Sequence, residues 1–85
     1  MPMKYIRFPD HGTGIDTFIV FTPTINHKDI AARHEKEHGK PISAGFVHLD
    51  EDKFVTVSGR SVSLNLGPAE DDQDMIYLFL GGKPL

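Results

Sequence analysis

One segment, residues 25–39, carries helical signals from end to end, while the other patterned runs in the chain are short and mostly strand-like. Asn26 stands where an N-cap oxygen belongs, and Asp29 follows three residues later as an approximate capping box. Ile25 and Ile30 occupy the two positions of a hydrophobic staple. Asp29 with Arg33, and Arg33 with Glu37, have the (i, i+4) spacing of ion pairs that contribute about 0.3–0.5 kcal/mol each when exposed. Gly39 and Pro41 then stop the helix, because glycine accepts the left-handed backbone of a helix end and proline cannot continue one.

The runs around this helix read as strands. Residues 4–8 alternate, with Tyr5 and Arg7 on one side and Ile6 and Phe8 on the other. Residues 16–22 are rich in β-branched and aromatic side chains and apolar on both faces, which predicts a strand covered on both sides or lying at a dimer contact, with the middle of the sheet as its expected place. Gly12-Thr13-Gly14 lies between these two runs and not before a helix, so it reads as a hairpin connection and not as a phosphate-cradling loop. Residues 42–49 alternate again up to the acidic turn Asp50-Glu51-Asp52, and residues 53–58 pair back as a hairpin. Residues 61–66 alternate polar and apolar, which predicts a half-exposed strand burying Val62, Leu64 and Leu66 together. Residues 75–80 fit either a buried strand or a helix begun near Pro68. The acidic residues Glu70, Asp71, Asp72 and Asp74 at its positive end, with Gly81-Gly82 as a stop, favour the helix. The acidic cluster lacks the ligand alternation and central glycine of a calcium loop, so capping and solubility account for it.

These elements predict a single α+β domain: an antiparallel sheet of four to five strands with two helices packed on it, in the order β-β-α-β-β-β-α. A chain of 85 residues has room for one core, and a domain of that size buries only about 60% of the surface its unfolded chain exposes, which makes a homodimer one way to gain stability. Without cysteine there are no disulfides, thiolate metal sites or cysteine nucleophiles, and a reducing compartment is compatible. The longest apolar run is too short to span a bilayer and the first residues lack a signal-peptide pattern, so the expected setting is the cytoplasm, away from membranes. A net charge of -3, with the basic residues scattered, argues against nucleic acid as a partner.

Chemistry is most visible at the helix end. His34-Glu35-Lys36-Glu37-His38 matches both H-E-x-x-H and the inverted H-x-x-E-H. Two imidazoles one turn apart can share a zinc ion, and a neighbouring glutamate can activate its bound water. Metalloprotease helices continue past this motif inside a larger domain that adds a third ligand, whereas here Gly39 ends the helix at once. On a helical wheel with Ile30 at zero, His34, His27, His38 and Ala31 fall at roughly 40, 60, 80 and 100°, on the same side as the apolar residues. The structural account is imidazoles packed at the rim of the helix–sheet contact; the functional one is a metal clip or a pH-sensitive contact. His11 and His48 lie in other segments, and no spacing brings them to His34. Ser58, Ser61 and Ser63 lack the second glycine of a nucleophile elbow.

Ile42-Ser43-Ala44-Gly45-Phe46-Val47, the run from Gly59 to Leu66, the following acidic residues and Asn26-His27-Lys28-Asp29-Ile30-Ala31 together resemble small uncharacterised phage or prophage proteins, in which an N-terminal strand and a short helix precede a Ser-Ala-Gly-Phe strand. The resemblance spans residues 18–80, implies no activity, and leaves out residues 34–38. The function expected from the sequence is therefore a small non-enzymatic protein-interaction module, in the setting of a phage accessory factor. The alternative is a metal-binding protein or zinc-dependent hydrolase working through His34 and His38.

Overall fold

The computed structural model describes residues 2–9, 12, 14, 16–49 and 55–80. Strands β1 (Met3–Phe8), β2 (Thr17–Phe21), β3 (Ser43–Leu49) and β4 (Val55–Ser58) form one antiparallel sheet in the order β2-β1-β3-β4. Helix α1 (His27–His38) joins β2 to β3, and α2 (Asp72–Phe79) follows β4. The α+β class and both helices are as the sequence predicts, with four strands in the order β-β-α-β-β-α. No helix among the described residues is long and apolar enough to cross a membrane. The acidic turn 50–52, His11 and Gly81-Gly82 lie outside the described residues.

Register explains the two cores. Ile6 lies opposite Ile19 and Ala44, while Tyr5 lies opposite Val20 and Gly45, and Arg7 opposite Phe18 and Ser43. Even-numbered residues of β1 therefore share one face with Phe21 and Ala44, where α1 packs Ile30 and Ala31. Odd-numbered residues share the other face with Phe18, Val47 and Val55, where α2 packs Ile76. Ile76 is fully buried, and burial of a side chain of that size stabilises by about 1.5–3 kcal/mol.

Four sequence expectations are corrected here. β2 is an edge strand and β1 is central. Helices lie on both faces, so a strand at the margin is covered above and below and carries the same two-faced apolar pattern as one in the middle. Residues 61–66 form a tight turn closed by a Ser61–Leu66 bridge, with Asn65 at φ 54°. That turn buries Ser61 and points Val62 into solvent at 87% exposure, while Leu64 and Leu66 pack beside the α1 core. The third correction concerns the start of α1, where the Asn26 side chain caps nothing and no capping box forms. Instead the Asn26 carbonyl accepts from the Asp29 and Ile30 amides, and the Ser63 hydroxyl accepts from the Lys28 amide across the surface. The Asp29–Arg33 and Arg33–Glu37 ion pairs do not close, and the Glu37 carboxylate turns toward His38.

Candidate functional site

The C-terminal half of α1 lays its imidazoles on β1, as the helical wheel predicts. The rings of His34 and His38 stand 6.2 and 5.3 Å from the Phe8 ring and 6.0 Å from each other. Phe8 is fully buried, so it offers both histidines a fixed apolar floor, and each remains partly exposed on its outer side. The Glu37 carboxylate joins them, with Oε2 3.6 Å from His38 Nε2. One donor atom each from His34, Glu37 and His38 lies within 4.8 Å of the other two. Of the two glutamates in the motif, the geometry gathers Glu37, the acid of the inverted form, and leaves Glu35 out of the group. Gly39 closes the helix directly behind them at φ 75°, its amide donating to the Glu35 carbonyl.

The other histidines are separate. His27 is buried between Phe21 and Phe46, both meeting it edge-on at 5.5 and 5.7 Å. Its Nε2 lies 2.9 Å from the Gly45 carbonyl; a carbonyl only accepts, so this nitrogen carries the proton. Desolvation lowers its pKa from 6.5, the hydrogen bond to Gly45 opposes that shift, and nearby Lys4 adds to it. His48 is exposed at the far end of β3, opposite Thr56, six strand positions from the level of Phe8 or about 20 Å. It is remote from the His34 group.

A second polar cluster, which the sequence reading missed, joins α2 to the sheet. Asp72, read as a capping and solubilising residue, is fully buried. Its Oδ1 accepts from Arg7 Nη1 at 2.9 Å and from the Ser43 hydroxyl at 3.0 Å. Its Oδ2 accepts from the Tyr5 hydroxyl at 2.5 Å and from the Ala69 amide at 2.8 Å. Arg7 completes its own donors with Asp16 and Asp71, and its guanidinium lies 5.3 Å from the Phe18 ring centre. Burial, then the bond to Asp72, raises the Tyr5 pKa; the Arg7 guanidinium holds the Asp71 carboxyl below the usual range. With four donors on one buried carboxylate, the cluster acts as an anchor for α2. The available signal was Arg7 sharing one face of the first strand with Tyr5, flanked by Ile6 and Phe8: a buried arginine needs a carboxylate.

The apolar face expected of α2 is only half used. Ile76 is buried and Met75 and Tyr77 pack beside the core, but Leu78, Phe79 and Leu80 are each about half exposed. Phe79 reaches across to Phe18 of β2, ring centres 5.8 Å apart, and the two line a groove with Asp16, Met75 and Leu78. At the opposite corner a second pocket is lined by Lys4, Asn26, His27, Phe46, Arg60, Val62 and Ser63. Its cations are engaged internally, Lys4 with the Ile25 carbonyl and Arg60 with Asn65. Comparison of the chain with protein-family models, curated proteins and solved structures gives no match.

Proposed function

We propose that this protein is a small non-enzymatic interaction module that works as a homodimer joined through the outer edge of β2. The observation behind this reading is the continuity between that edge and the exposed apolar patch, made by the Phe18–Phe79 contact. Among the described residues β2 has one strand neighbour, β1. Its sequence, Thr-Phe-Ile-Val-Phe, contains no proline, lysine or other device that blunts an edge. The opposite edge differs: there the Val57 amide donates to the Gln73 side chain of α2.

A second copy is the occupant whose chemistry fits. A strand added to β2 would extend both faces of the sheet, on which Phe18 and Phe21 are buried and Ile19 and Val20 partly buried, so it must be apolar on both faces, and β2 itself has that pattern. Antiparallel pairing of β2 with its own copy obeys a two-fold axis, so one surface serves both partners. Phe18 and Val20 would then meet their counterparts beneath the two Phe79 rings. The cytoplasm, as a reducing compartment, suits a cysteine-free chain, and the phage resemblance supports an accessory role in that setting.

Sedimentation equilibrium tests the reading. The expected result is a concentration-dependent species of twice the chain mass. Ile19→Lys and Phe79→Glu should each return it to monomer while retaining cooperative thermal unfolding. A wild-type chain that stays monomeric at its highest attainable concentration, or folded variants that dimerise as tightly as wild type, overturns it.

A further inference from the structure

We infer that His34, Glu37 and His38 form a binding site for one borderline divalent transition ion of the zinc class, held at the end of α1 as a surface clip. The inference is independent of the dimer reading, since it involves α1 and Phe8 and not the outer edge of β2.

The donor set is the first argument. Two imidazoles and one carboxylate are the ligands that zinc takes in three-protein-ligand sites, leaving a fourth position for water or a partner's donor. Distance is the second. Bonds of about 2.0–2.1 Å in a tetrahedral site place neighbouring donors about 3.3 Å apart. Glu37 Oε2 and His38 Nε2 already stand at 3.6 Å, and all three donors lie within 4.8 Å of one another. The Glu37 side chain is 77% exposed, which leaves it room to rotate toward the two rings. Preorganisation is the third. The shared contact with Phe8 restricts both rings before any ion arrives, so less rotamer freedom is lost on binding than for two histidines on an open helix. Finally, Glu37 and His38 lie in the last turn of a helix of 12 residues, with His34 one turn before, and there the carbonyl end of the dipole favours a cation.

Glu37 distinguishes this site from an ordinary histidine pair. With only His34 and His38 as ligands, any surface helix with this spacing would serve, and Glu37 and Glu35 would contribute equally as nearby charges. With Glu37 as third ligand, the two glutamates differ.

Zinc chloride titrated into the full chain by calorimetry tests this, with cobalt(II) in parallel for its visible absorption bands. We expect one ion per chain and cobalt bands of tetrahedral intensity. His34→Ala should abolish saturable binding, Glu37→Gln should weaken it about tenfold or more, and Glu35→Gln should leave it within twofold. Zinc should raise the melting temperature of wild type and of Glu35→Gln, and not that of His34→Ala. Absence of saturable binding overturns the inference, as does equal weakening by Glu37→Gln and Glu35→Gln. Circular dichroism establishes that each variant is folded, and His38→Gln replaces His34→Ala if the latter is not.

Discussion

The Tyr5 hydroxyl donates a 2.5 Å hydrogen bond to the fully buried carboxylate of Asp72, tying the central strand to the first turn of α2 across 67 residues of sequence. The same carboxylate receives Arg7, Ser43 and the Ala69 amide, so it fixes where α2 begins and which way it turns against the sheet. Asp72→Ala leaves the Arg7 guanidinium buried without its innermost partner, and removal of one member of a buried pair costs about 3–5 kcal/mol. Tyr5→Phe removes one hydrogen bond to a charge, about 1.5–3 kcal/mol. Urea denaturation should rank the two in that order. An Asp72→Ala variant as stable as Tyr5→Phe would mean that the anchor is the tyrosine alone.

His27 predicts the acid side of the stability profile. The unfolded chain protonates this imidazole near pH 6.5, whereas burial lowers its pKa in the folded protein, so protonation favours unfolding. The contribution is fully present above about pH 6.5 and is lost as pH falls from there toward the folded-state value. Melting temperature measured between pH 7.5 and about 5 should decline in wild type and stay level in His27→Gln, which starts lower. An equal decline in both would assign the dependence to other groups.

Gly45 lies where three elements meet. A Cβ added there would stand 3.0 Å from the Ser58 carbonyl oxygen and 3.2 Å from both Pro68 Cγ and Tyr5 Cε1. The Ser58 oxygen belongs to the paired backbone of β4 and has little room to yield, so Gly45→Ala should cost about 1–3 kcal/mol. Gly67→Ala is the control, its nearest neighbour being Arg60 Cβ at 3.8 Å, and should stay within about 0.5 kcal/mol of wild type. Matching denaturation midpoints for the two variants would contradict the close approach.

Turn and strand readings of residues 61–66 separate on Val62. In a strand it would share burial with Leu64 and Leu66; in the turn it is solvent-facing. Val62→Ser is therefore expected to change stability by less than about 0.5 kcal/mol. Leu66→Ala, beside the α1 core, should cost more than 1 kcal/mol, on the order of a partly buried large-to-small change. Thermal denaturation of both variants decides between the readings.

Local signals were enough for the elements whose causes are local. Ile25, Ile30, Gly39 and Pro41 bound α1 within the sequence that forms it, and the alternation at residues 4–8 and 42–49 assigned every side chain to its face. The helical wheel likewise placed His27, His34 and His38 toward the sheet, since a 3.6-residue period needs no tertiary information. Other properties belong to pairs of residues distant in sequence. Whether β2 sits at an edge depends on which strand joins β1 on its other side, and residues 42–49 take that place. Alternation at residues 61–66 suits a turn as well as a strand, and the turn is visible only in the Ser61–Leu66 bridge and in the packing of Leu64 and Leu66 beside the α1 core. Asp72 reads as a surface acid until Tyr5, Arg7 and Ser43 converge on it, and His34 and His38 gain their fixed floor only because β1 brings Phe8 beneath them. Periodicity and caps act over a few residues and are written in the chain, whereas burial and charge pairing are set by what packs opposite, which folding alone supplies.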